Sequence, residues 1–266
     1  MPKEAFGGDD DSGTPAPEEK KRKVDLSRFS KGQDMNISAL FWEIIEAYAE
    51  GKRPESFAGL ENDRLALVRA AGGAIARPSA LHAGLAPDEV SRYSLMMLLD
   101  AGWQDALAEF LDECGHRDAQ RRAAAAGVRK LAADAKYCAG LVESLRAMLR
   151  GRTAAGTALM YLAEAGSAAL ARELKKELVI FARGDIGDNQ LNAILALALL
   201  GNDGEVTKVM MALLTHWDEA ARKAAAEALL VSGGDEAADA ATKRLASETD
   251  PDIRITLEKI AKLKKR

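Results

Sequence analysis

Large rings are scarce in this chain. Three Trp, four Tyr and six Phe make up 5% of its 266 residues. A core built on interlocking aromatics is excluded. With 48% hydrophobic residues, the apolar mass must come from small aliphatic side chains. Prolines number only seven and alanine runs are long, which favours helix almost throughout. The two cysteines, Cys114 and Cys138, lack metal-ligand spacing and read as small buried residues in a reducing compartment. The net charge of -4 and pI of 5.6 exclude a uniformly basic nucleic-acid coat, though not a local patch. No apolar run approaches the roughly 18 residues of a membrane span; the longest covers 193–200. No apolar signal core opens the chain. These features predict a cytoplasmic protein without a membrane partner.

Residues 1–34 are rich in Gly, Asp, Pro, Ser, Glu and Lys, too polar to offset the entropy of ordering, and are expected to be a disordered charged tail. The tail contains KKRKV at 20–24. That is either a solvated charge run or, in a nucleated cell only, a nuclear-import signal. Residues 35–86 read as a helical lead-in that caps the remainder of the chain. Asp34 or Asn36 can cap a first helix with Ile37, Leu40, Phe41, Ile44, Ile45 and Tyr48 on one face. A second helix is expected over 62–75, with Leu65, Val68 and Ala71 inward, before a breaker-rich connection holding Pro78 and Pro87.

From residue 87 the pattern repeats. Anchors at Asp88, Asp118, Thr153, Asp188, Asp218 and Asp250 are separated by 30, 35, 35, 30 and 32 residues. Positions six, seven and ten after each anchor are apolar, apart from Ser94 and Thr256. A Gly- or Asp-bearing turn and a second helix follow each of the first five anchors. Four anchors carry an arginine four residues on: Asp88/Arg92, Asp118/Arg122, Asp218/Arg222 and Asp250/Arg254. The aspartate can cap its helix. The arginine can pair with its own aspartate or with a neighbouring copy's, and the second option makes a ladder that fixes register.

The stretches DPDIRITLEKIAKL (250–263), DEAARKAAAEALLVSGGDEAADAATKRL (218–245) and DAQRRAAAAGVRKLAADA (118–135) resemble the HEAT-repeat superfamily, in its short phycobilisome-lyase-type form. The resemblance covers 88–266 and implies an all-α, right-handed solenoid of about six helix pairs over 87–266. Copies three and four depart from the pattern, with Thr153 and Thr157, and with Asn192, and the curvature is expected to change there.

Little in the sequence carries chemistry. His82, His116 and His216 are far apart, and none precedes a Glu, whereas the related di-iron deoxyhypusine hydroxylase uses His-Glu pairs. Bilin lyase activity is a possibility of the family that no residue here argues for. Gly72–Gly73 and Gly233–Gly234 do not form a phosphate loop. No enzyme, metal, cofactor or small-molecule substrate is expected. Trp42, Trp103 and Trp217 read as structural. Charge is concentrated in one place. Arg117, Arg121, Arg122, Arg129, Lys130, Lys136, Arg146, Arg150 and Arg152 face only Asp118, Asp134 and Glu143 in sequence. That is either an Arg-rich helix surface or a cationic patch for phosphate or an acidic partner. The function expected is a non-catalytic scaffold binding another protein across an extended face. The alternative is nucleic-acid or phosphate-backbone binding through the 116–152 patch.

Overall fold

The computed structural model describes residues 23–24, 26, 36–77, 84–151 and 153–263. Two lead-in helices come first: α1 (Ile37–Ala49) and α2 (Arg64–Ala76). Asn36 caps α1 by accepting from Ala39 N at 3.1 Å, while Asp34 lies outside the described residues. α2 begins after a single 3-10 turn, and its buried residues include Leu67 and Ile75 beside the expected Val68 and Ala71. Leu65, expected inward, is 41% exposed, because two residues of helix place it about 200° round from Leu67.

Five helix pairs and a closing single helix then stack. The first helices are α3 (Pro87–Asp100), α5 (Asp118–Ala132), α7 (Ala155–Ala165), α10 (Asp188–Ala198), α12 (Glu219–Ser232) and α14 (Pro251–Ala261). The second helices are α4 (Gln104–Gly115), α6 (Ala135–Arg150), the broken pair α8 (Ala168–Glu173) and α9 (Lys175–Gly184), α11 (Gly204–Leu213) and α13 (Asp235–Leu245). The substantial contacts run between neighbouring copies: α3 on α5, α5 on α7, α7 on α10, α10 on α12 and α12 on α14. No copy could bury its apolar face alone, and the result is an all-α solenoid with one continuous core running from Leu26 to Ile260. α1 and α2 close its first end by packing on α3 and α4.

Small side chains make the first-helix row tight. Ala124, Ala193, Ala221, Ala225 and Ala226 are fully buried, and Gly127 brings α5 against α3. Larger apolar groups fill the space between rows: Phe110, Leu107, Tyr161 and Leu178 are each fully buried, worth roughly 1.5–3 kcal/mol apiece. The Tyr161 hydroxyl donates to the Leu111 carbonyl at 2.9 Å, so its polar end is satisfied. Turns inside the copies need left-handed backbone where glycine stands, as at Gly166 with φ 61°.

The repeat register differs from the uniform offsets. Asp218 and Asp250 are helix caps, one residue outside the helix, but Asp118 and Asp188 are the first helical residues. The inner face therefore shifts by about one position between copies. In copy four it leaves Leu195, at offset seven, 48% exposed, whereas Leu95, Ala125, Ala225 and Leu257 at that offset are buried. The expected second helix of copy three breaks at Leu174. Arg146 Nη2 donates to the Glu173 carbonyl there at 2.9 Å and competes for an oxygen of the helical ladder. The two 35-residue spacings are accommodated by the 16-residue α6 and by this broken pair.

The tail is anchored where it is described. β1 (Lys23–Val24) pairs in parallel with β2 (Arg53–Pro54), and Leu26 is 5% exposed in the core. Of the segment expected to be a disordered tail, residues 23–24 and 26 are described, and Leu26 supplies an apolar anchor that composition averaging hides. The remainder of that segment, including most of KKRKV, lies outside the described residues. Trp42 and Trp103 are buried, but Trp217 is 75% exposed against His216 and closes no core.

Candidate binding surfaces

The repeated arginines meet carbonyls and other acids. Arg222 Nη1 donates to His216 O at 3.1 Å and to Trp217 O at 3.0 Å. Arg254 Nη1 donates to Leu245 O at 2.9 Å and to Glu248 O at 2.8 Å. An arginine one turn into a first helix thus satisfies carbonyls of the turn before it and, at Leu245, the last carbonyl of the preceding helix. Among the described residues no anchor aspartate forms an ion pair with its own arginine. Arg92 reaches Asp134, the cap of α6, at 3.6 Å, and Arg122 Nε donates to the Asp118 backbone at 3.3 Å. Asp88 pairs with Lys130 at 2.6 Å and Asp118 with Arg121 at 2.9 Å. Capping by side chain occurs at Asp218 and Asp250 but not at Asp88 or Asp118.

The acid that replaces an aspartate ladder is Glu248, in the turn after α13. Its side chain is 0% exposed. It accepts from Arg222 Nε at 2.9 Å and Nη2 at 3.2 Å, and from Arg244 Nε at 3.0 Å and Nη2 at 2.8 Å. The N–H groups of Thr249 and Asp250 add bonds at 3.0 and 3.1 Å. Burial alone would raise its pKa. The Arg222 guanidinium, the Asp250 N–H and Arg244 outweigh that and hold it at about 2.

A second hub joins three distant segments. Tyr48 and Tyr137 hydroxyls donate to Asp100 Oδ2 at 3.0 and 2.8 Å, and Lys136 Nζ reaches Asp100 Oδ1 at 3.2 Å. Arg53 Nη1 lies 3.4 Å from Asp100 and stacks over the Tyr137 ring. Burial and the Asp100 charge push both phenols well up, so they remain donors. Beside the hub opens a cleft of about 510 Å³ lined by Phe57, Trp103, Glu61 and Lys136. Burial also pushes the Cys114 thiol up to about 12, so it is no nucleophile at neutral pH.

The sequence's cationic stretch is largely tied down. Arg121 pairs with Glu164 at 2.8 Å, Lys130 with Asp88, Lys136 with Asp100, and Arg146 with Glu143 and Glu177. Arg150 lies 3.6 Å from Glu177 and is otherwise exposed. Arg129 and Arg117 have no side-chain partner among the described residues, and Arg152 lies outside them. Arg117 instead lines a cleft of about 380 Å³ with Arg69 of α2 and Arg77 just past its end, which sequence reasoning missed because they belong to a different segment.

A third cleft, about 460 Å³, crosses the first helices of copies two to four. Met160, Ala163, Leu195 and Leu199 form its apolar floor, and Arg121, Glu164 and Asn192 its rim. The Arg121–Glu164 pair bridges α5 and α7 and holds that rim. Leu195 is 48% and Leu199 36% exposed. The signal available in sequence was a leucine at an inner offset in the one copy that keeps the anchor aspartate without its arginine, with Asn192 instead.

The family model described as HEAT repeats matches residues 176–261. Among solved structures, an engineered protein is similar at 19% identity and TM-score 0.47, over 86% of this chain and 96% of its own. A computationally designed armadillo repeat protein for modular peptide recognition is similar at 16% identity and TM-score 0.42, over 74% of this chain and 100% of its own. No curated protein matches.

Proposed function

We propose that this chain, with HEAT repeats over residues 176–261, is a non-catalytic scaffold that binds another protein through the first-helix face of copies two to four. One observation carries this reading: the open apolar cleft of Met160, Ala163, Leu195 and Leu199, set between charged groups that already pair with each other. An apolar side chain from a partner would bury itself on that floor, while the rim orients the surrounding polypeptide. A phosphate backbone would find an oily floor there and a cationic stretch mostly neutralised by its own acids, so nucleic-acid binding through 116–152 has less support.

Leu195→Glu is the test. Leu195 is exposed, so the variant should keep its fold, with stability within about 0.5 kcal/mol of wild type. Retention of a protein partner by affinity capture from native lysate should fall about tenfold or more, and wild-type retention should survive moderate salt. Equal recovery of the same partners by both forms would show that this face is not the one used.

A further inference from the structure

We infer that the cleft between α2 and the α4–α5 turn is a binding site for a phosphate monoester carried by a partner protein. Arg69 and Gly73, four residues apart, share one side of α2, Arg77 follows as the residue that ends the helix, and all three line the cleft. Gly73 leaves the floor between the two arginines as bare backbone, with nothing within 4 Å of where its Cβ would be. Arg117 enters from the opposite wall as the N-cap residue of α5. Gln120, 8% exposed, donates to the Gly72 carbonyl at 2.9 Å and so pins the start of α5 to α2.

None of the three arginines has an ion pair or a side-chain hydrogen bond among the described residues, unlike most cations of the neighbouring stretch. Among the described residues the only acid lining the cleft is Glu113. Three guanidinium charges against one carboxylate leave a formal +2, with His116 beside them. Among the described residues no side chain caps the first turn of α5, and Asp118 at that end is held by Arg121 at 2.9 Å. A phosphate monoester carries close to two negative charges at neutral pH and three acceptor oxygens, which planar guanidinium forks bind in pairs. A single carboxylate or a phosphodiester would answer only half of that charge.

The proposal rests on the protein-binding reading for the source of the phosphate alone. Its test uses the full chain and a small probe, so the two can fail separately. Calorimetric titration with O-phosphoserine at low ionic strength should show saturable binding, absent with serine and weaker with inorganic phosphate. Arg69→Gln with Arg77→Gln should weaken it at least tenfold. Arg129→Gln, a control removing another unpaired arginine, and Leu195→Glu should leave it unchanged. No saturation, an unaffected double variant, or an equal loss in the Arg129 control would overturn the site. Tighter binding of inorganic phosphate, or displacement of the probe by duplex DNA at lower phosphate concentration, would overturn the assignment to a modified protein.

Discussion

Glu248→Ala should unfasten the last repeat. Loss of the carboxylate leaves Arg222 and Arg244, with side chains 11% and 18% exposed, as uncompensated charges inside the joint between copies five and six. Breaking a buried ion pair from one side costs about 3–5 kcal/mol. Four guanidinium bonds and two backbone N–H bonds vanish together, and the N–H groups of Thr249 and Asp250 are left without an acceptor. In a linear array such a loss is local. α14 touches only α12 and α13 substantially, so hydrogen exchange in α14 should accelerate by two orders of magnitude or more while α3 and α5 keep their protection. Uniform protection along the chain, as in wild type, would mean that Glu248 does not hold the joint.

The same group sets a pH dependence. Its folded pKa of about 2 lies below the ordinary value of 4.5. For a depressed carboxylate, the stabilisation is fully present above the unfolded pKa and is lost as pH falls through the folded one. Wild type should therefore shed on the order of 2–3 kcal/mol between about pH 5 and 2 from this residue, read as faster exchange of α14. Glu248→Gln, already weakened at neutral pH, should lack that component of the acid response.

What could be read from the sequence was whatever is local or periodic. Anchor spacing, alanine runs and glycine turns placed the first helices near their observed positions, because a helix start and its inner face are fixed by a few neighbouring residues. Contacts that depend on stacking were not readable. Arg222 and Arg254 look like partners for Asp218 and Asp250 four residues earlier, yet each aspartate is occupied with its own backbone N–H groups. The guanidinium then reaches back to carbonyls of the preceding turn, and in Arg254 also to Leu245 at the end of α13. Glu248 carries no motif, since its importance comes from being enclosed. The cleft of Arg69, Arg77 and Arg117 joins positions 40 residues and more apart, brought together only when α2 docks beside α5. Leu195 misled because the buried face of α10 falls at Ala193, Ile194, Ala196 and Leu197, five, six, eight and nine residues after its anchor, which leaves offset seven outward.

Gly127→Val should loosen the first joint as Glu248→Ala loosens the last. A Cβ at Gly127 would stand 2.4 Å from Ser91 Oγ, 2.8 Å from Ser91 Cβ and 2.9 Å from the Arg92 backbone nitrogen. The last of these cannot rotate away. α5 must move off α3, and this pair is the most extensive helix contact in the molecule. Replacing a helical glycine by alanine ordinarily stabilises by about 1 kcal/mol, so Gly127→Ala sets that gain against a clash and should end near neutral or mildly destabilising. Valine adds two methyls to a site without room and is a poorer helix former, so a loss of about 3 kcal/mol is expected in denaturant unfolding of the segment around α3 and α5. The clash can be tested from the other side. Ser91 is fully buried and its hydroxyl has no partner, so Ser91→Gly opens space at small polar cost. Combined with Gly127→Ala it should recover about 1 kcal/mol relative to the sum of the single changes, the coupling expected of residues in direct contact. Strict additivity would show that the tight α3–α5 approach is not what requires glycine at 127.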